Sequence, residues 1–139
     1  VWIAGCSTSC VRTQLIDSAI FGLQVVSPVD EAGSMLHVAR LFARALVVVA
    51  PHGGTLANLL FSRASGVEPG THEGRARRGT EARVLELLPA NRPNLCYERL
   101  CRSLGLRYMG LVVPDTTYNQ PMHVHVPRVL VAFQALLSS

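Results

Sequence analysis

The chain contains no lysine: all thirteen of its basic side chains are arginines, against nine acidic ones, for a formal charge of +4. These arginines are scattered, except for Arg75, Arg77, Arg78 and Arg83. Aromatic residues make up only 6% of the sequence, too few to interleave with a basic face as single-stranded nucleic-acid binding requires. A nucleic-acid partner is therefore not expected. No apolar run approaches the roughly 20 residues that a bilayer span needs, and no signal peptide is visible. Charged residues amount to 16% and apolar ones to 49%, which excludes a disordered polyelectrolyte and indicates a buried core. Four cysteines fall as Cys6-x3-Cys10 and Cys96-x4-Cys101, neither of which has the two-residue spacing common in zinc sites. Small buried hydrophobes are the plain reading of these cysteines, with an oxidised pair as the alternative.

At 139 residues the chain is expected to form one domain, 1–139. It opens at Val1 and enters the strand-like run Val1 to Gly5 at once, so a piece of a longer protein is expected. Apolar residues at 11, 15, 16, 19 and 20 then predict a helix, closed by Gly22. Leu23 to Val26 reads as a second strand. Ser34 is a candidate N-cap for a helix through about Arg44, with Leu36, Ala39, Phe42 and Ala45 on its inner stripe. Leu46 to Ala50 is a short β-branched run of the type found inside a parallel sheet. Leu56 to Phe61 reads as a helix with Leu56, Leu59 and Leu60 on one side. Residues 62–82 hold four glycines, a proline and an arginine cluster, and are expected to form a flexible loop or insertion. A strand over Val84 to Leu88, a helix over Leu95 to Leu104 stopped by Gly105, a strand over Leu106 to Val113 and a final helix follow. That last helix has Pro127 in its first turn and Val129, Leu130, Ala132, Phe133, Leu136 and Leu137 as its apolar face. Alternating strands and helices predict an α/β fold: a Rossmann-like parallel sheet with helices on both faces.

Chemistry concentrates where the third strand ends, at Pro51-His52-Gly53-Gly54-Thr55. Gly53 and Gly54 allow a sharp turn and a close ligand approach. The N–H groups of Thr55, Leu56 and Ala57, together with the helix dipole, would form a site for a phosphate or diphosphate. His52 could donate to a phosphate oxygen or a sugar hydroxyl, and the Thr55 hydroxyl could cap the helix or meet the phosphate. The plain alternative is a tight turn beside a structural histidine, with Asn58 as an ordinary inter-element hydrogen bonder. Glu86 is the only charge inside Val84 to Leu88, where a carboxylate is costly unless it is paired. Near a strand's carboxyl end it could accept from two vicinal hydroxyls of a ribose. Alternatively it faces an edge or forms a salt bridge, for example to one of the arginines. His123 and His125 would share one face of a strand-like segment, but no acidic residue lies nearby in sequence and His72 falls in the loop. A metal site is therefore not expected. Arg12 and Ser34 fall near the expected ligand edge and have ordinary surface or capping explanations.

Three separated motifs in order resemble glycosyltransferase family 61, which includes plant xylan-decorating transferases and animal O-linked GlcNAc transferases. Residues Ala50 to Phe61 match an H-G-A-x-L-[TA]-N-x-x-F run, with Gly54 in place of the commoner alanine. Val84 to Pro89 is similar to the family's apolar strand with a glutamate. Leu95 to Leu111 is similar to the following helix and strand, around a G-[LH]-x-Y core. This resemblance, over roughly residues 23–137, implies the nucleotide-binding half of a GT-B fold. It implies inverting transfer from a UDP-sugar to a glycan or glycoprotein acceptor, without an essential metal or other cofactor. Gly53, Gly54 and Thr55 would then hold the diphosphate and Glu86 the ribose, with Asn58 also among the donor-binding residues, and His52 would lie against the phosphate or donor sugar as the catalytic group. A membrane-anchored parent in the Golgi or endoplasmic reticulum lumen is also implied. A domain of the same fold that binds a ligand or partner without catalysis is the alternative.

Overall fold

The computed structural model describes residues 2–4, 24–26, 35–63, 81–91, 93–114, 116 and 122–139. The helix expected over 11–21, together with Cys6, Cys10, Arg12, Ser34 and His72, lies outside the described residues, as does the 64–80 part of the expected loop.

Five strands form one parallel sheet: β1 (Trp2–Ala4), β2 (Gln24–Val26), β3 (Val47–Pro51), β4 (Arg83–Pro89) and β5 (Arg107–Val113), in the order β2-β1-β3-β4-β5. The chain first builds outward to β2, then returns to the other side of β1 and continues to β5. This is a doubly wound arrangement, with its switch point between β1 and β3. Three α-helices are described, α1 (Met35–Arg44), α2 (Cys96–Ser103) and α3 (Val126–Ser138), and a 3-10 helix spans Gly54–Phe61. None is long and apolar enough to cross a membrane.

The central strands are buried on both faces, as their composition requires. On one face Val48, Ala50 and Val84 pack with Phe42 of α1, Leu56 and Leu59 of the 3-10 helix and Cys101 of α2. On the other, Val47, Val49 and Leu85 pack with Leu136, backed by Val129, Ala132 and Phe133 of α3. Helices thus cover both faces of a parallel α/β sheet. Of the apolar face expected for α3, Leu130 and Leu137 lie at its margin, 37% and 40% exposed, while Leu136 is buried.

Three local expectations change. In α1 the inward stripe is Val38, Leu41 and Phe42, continued by Ala45 beyond its end, whereas Leu36 is exposed. The segment after β3 winds as a 3-10 helix, in which residues three apart share a face. Leu56 and Leu59 are therefore buried and Leu60 is 61% exposed. The segment around His123 and His125 is not a strand; His125 instead precedes α3, and its carbonyl accepts from the Arg128 and Val129 N–H groups. Gly105 does stop α2, at φ 68°, with Leu106 N–H bonding the Cys101 carbonyl and Gly105 N–H bonding that of Arg102. At the two ends of the expected loop, Ala82 N–H bonds the Arg63 carbonyl and Ala82 is wholly buried. The core therefore begins before β4 does.

Candidate functional site

The site is built on three neighbouring positions of one sheet face. Register pairs Ala50 of β3 with Glu86 of β4 and Glu86 with Gly110 of β5, so their side positions align across the sheet. His52, two residues beyond Ala50, stands on the same face, just past the carboxyl end of β3. Its backbone remains tied to the sheet through His52 N–H to the Leu87 carbonyl, 2.9 Å. Ala50 and Gly110 flank Glu86 with almost no side-chain volume. That leaves room above the strand for two larger groups to converge on the carboxylate.

They do converge. His52 Nδ1 lies 2.5 Å from Glu86 Oε1, and the Tyr108 hydroxyl donates to Glu86 Oε2 at 2.6 Å. The Glu86 side chain is 0% exposed and that of His52 8%. The carboxylate accepts, so Nδ1 carries the proton and Nε2 lies on the opposite side of the ring. Tyr97 of α2 packs against the imidazole with ring centroids 5.2 Å apart and planes tilted by 58°. His52 is thus held by a carboxylate at one nitrogen and an aromatic ring along its side. A nucleophile or acid–base group oriented by a second residue, itself fixed by a third, has this construction.

Glu86 also sets the charge state of its neighbours. Burial, and secondarily the Glu86 charge, pushes the Cys101 thiol up to about 12, so it stays a neutral, inert thiol. Burial acts most on Tyr108, followed by its hydrogen bond to Glu86 and nearby charges including Glu98. All raise its hydroxyl far above the usual tyrosine range, so it remains a donor. Cys101 fits the plain expectation of a small buried hydrophobe, whereas Cys96 is exposed; neither is oxidised.

The other expected site residues are placed as follows. Gly53, at φ 168° and ψ 173°, is in extended backbone that any residue adopts, so the turn does not demand glycine there. Gly54 opens the 3-10 helix, and a Cβ on it would meet nothing within 4 Å, which leaves open space before the helix start. Leu56 N–H is already bonded to the Gly53 carbonyl at 3.0 Å. The expected cradle of Thr55, Leu56 and Ala57 amides therefore does not form as such. The tighter winding closes the first bond one residue earlier than an α-helix would. Thr55 does not cap the helix, which has no side-chain cap, and Asn58 Nδ2 donates to the Thr55 carbonyl at 3.0 Å. Asn58 thus steadies its own turn.

Glu86 differs most from expectation. It sits at the middle of β4, not near its end, and its partners are a histidine and a tyrosine, not an arginine. Its side chain is 0% exposed, and each of its oxygens accepts from a protein group. Tyr97 and Gly110 carry the site without having been singled out from the sequence, and Tyr108 entered only as the tyrosine of the G-[LH]-x-Y core, with no site role given to it. The available signal was Tyr108, a polar-tipped aromatic two residues from a glycine in a strand facing the buried charge. Among the described residues, no group of three or more His, Cys, Asp or Glu could hold a metal ion.

Compared with known proteins, the sequence matches no family model, and no curated protein matches it significantly.

Proposed function

We propose that this chain is the donor-nucleotide half of a GT-B glycosyltransferase, using a UDP-sugar for inverting transfer to a glycan or glycoprotein acceptor. One observation carries the reading: His52, at the carboxyl edge of a parallel sheet, is oriented by a buried glutamate. Ligands of open α/β sheets bind at that edge. A histidine in place there can act on a phosphate that arrives at the same point. Gly54 supports the reading because the space before it is open.

In the proposed reaction an acceptor oxygen attacks the anomeric carbon of the donor, and the bond from that carbon to the diphosphate breaks. The electron pair leaves with UDP. Protonated His52 donates from Nε2 to the leaving phosphate oxygen, and the Glu86 carboxylate balances the ring's charge through Nδ1. The Gly54 and Thr55 amides add hydrogen-bond donors at the same phosphate. Stabilisation of the leaving group by fixed donors takes the part a metal plays elsewhere. The base that removes the acceptor's proton belongs to an acceptor-binding half. Glu86 acts in this scheme by holding His52, not by touching a ribose. The parent protein would work in the Golgi or endoplasmic reticulum lumen, anchored to the membrane.

The test is titration with UDP and UDP-sugars, followed by amide chemical shifts. Binding with shifts centred on residues 52–55, weakened at least tenfold in His52→Ala, is expected. A folded domain that gives no response at millimolar nucleotide overturns the reading. Because the Leu56 amide and the Asn58 side chain are both engaged internally, a second reading is a domain of this fold that binds a ligand without catalysis. Nucleotide binding together with absence of transfer by the parent chain would favour it.

A further inference from the structure

We infer that Tyr108 is a positioning residue of this site, acting on His52 through Glu86. The inference rests on the reading of His52 as the functional group, and it concerns how that group is kept in place.

A carboxylate with one hydrogen-bond partner can rotate about its last bond and exchange its two oxygens. Glu86 has a separate donor at each oxygen: His52 at Oε1 and Tyr108 at Oε2. The two donors come from opposite neighbours of β4, one past the end of β3 and the other from β5, so the carboxylate is held from both sides. Its plane is thereby fixed, and with it the direction from which Nδ1 must approach. Register pairs Tyr108 with Val84, one step toward the amino end from the Glu86–Gly110 pair, so the tyrosine leans along its strand to reach Oε2. Gly110 makes that path possible. A Cβ there would lie 3.1 Å from the Tyr108 hydroxyl and 2.8 Å from Leu88 Cδ1. Among the described residues, the other groups packed on this face are mostly apolar. The 3-10 helix presents Leu56 and Leu59, and α1 presents Phe42, Val38 and Leu41, all apolar. From α2 come Tyr97, which touches the ring of His52, and the neutral Cys101.

The experiment is proton and nitrogen NMR of the His52 imidazole in the full chain, assigned by loss of its signals in His52→Ala. In the wild type an Nδ1 proton held by a buried carboxylate resonates far downfield, and the ring nitrogens report one tautomer. In Tyr108→Phe that resonance is expected to broaden or vanish and the ring to populate both tautomers, with the amide spectrum of the fold retained. Gly110→Ala, which keeps the hydroxyl but obstructs its path, is expected to do the same. Leu136→Ala, on the opposite face, is expected to lower stability and leave the resonance in place. An unchanged Nδ1 resonance in Tyr108→Phe, or its loss in Leu136→Ala as well, overturns the inference. UDP affinity separates this result from the donor reading. Tyr108→Phe should weaken UDP about tenfold, as loss of one hydrogen bond to a charged group does. A wild type that binds no UDP but shows the resonance, lost in Tyr108→Phe, removes the donor reading and supports the positioning role.

Discussion

Two glutamates five residues apart, Glu81 and Glu86, each meet a basic or ionisable partner, and they are held in opposite ways. Glu81, just before β4, receives Arg107 Nε at 2.7 Å, with the arginine side chain 37% exposed. Glu81 is also buried, its side chain 8% exposed, but the pair sits at the amino end of the sheet and its arginine keeps one end in water. Glu86 is sealed in the sheet interior beneath its carboxyl end, against a histidine and a tyrosine. Removing a carboxylate from water costs several kcal/mol, and replacing such a pair by packed hydrophobes is often neutral or stabilising. Stability alone therefore does not explain Glu86, which is met by a histidine only 8% exposed and by a neutral tyrosine, whereas Glu81 is met by a charged arginine that reaches water. The difference teaches that a buried charge is informative where its burial coincides with the ligand edge of the fold.

Glu86→Ala leaves His52 and Tyr108 buried without their shared partner and is expected to lower unfolding free energy by about 3–5 kcal/mol in a urea titration. A loss below about 1 kcal/mol would place Glu86 in the same class as Glu81. Leu136→Ala, which removes packing but no charge, is expected to cost about 2–5 kcal/mol while leaving the His52 environment unchanged by NMR.

Alkaline pH should act at the Glu86 end. Cys101 and Tyr108 ionise in the unfolded chain near 9.0 and 10.0 but hold their protons in the folded one. Above pH 9 the unfolded state thus binds fewer protons, and stability must fall as pH rises through the folded Cys101 value of about 12. Melting temperature measured from pH 8 to 11 should decline more steeply for the wild type than for Cys101→Ala. Equal slopes would show that the buried thiol does not contribute.

At the amino end, Glu81→Ala is expected to cost about 1 kcal/mol in the same titration, less than Glu86→Ala, because Arg107 can turn to water when its buried partner is lost. Smallest of all is Glu98→Gln, which removes the i,i+4 contact to Arg102 at 3.1 Å on the surface of α2. A change of a few tenths of a kcal/mol is expected there, by the same urea titration.

The parallel sheet was legible because its strands are short β-branched or leucine runs separated by helical spacing, and Gly105 was legible as a stop because its left-handed backbone favours glycine. The 3-10 winding after β3 was not. Leu56, Leu59 and Leu60 fit either helix type, and only packing against Phe42 and the sheet chose the face. Glu86 was legible as an anomaly, yet its partners were not, since His52 lies 34 residues before it and Tyr108 22 after. Nothing in a one-dimensional pattern says which of the flanking strands will adjoin β4, or in what register.

By itself, then, the sequence determined the layered α/β architecture and marked His52 and Glu86 as the two residues out of keeping with their surroundings. Hydrophobic periodicity and the solvation cost of a lone charge are local properties, readable one segment at a time. Only the tertiary structure decided that the two residues meet, that Tyr108 completes them, and that Gly53 is not needed for a sharp turn. Strand order and register, set by the burial of both sheet faces at once, brought Ala50, Glu86 and Gly110 into line, where His52 and Tyr108 converge on the carboxylate.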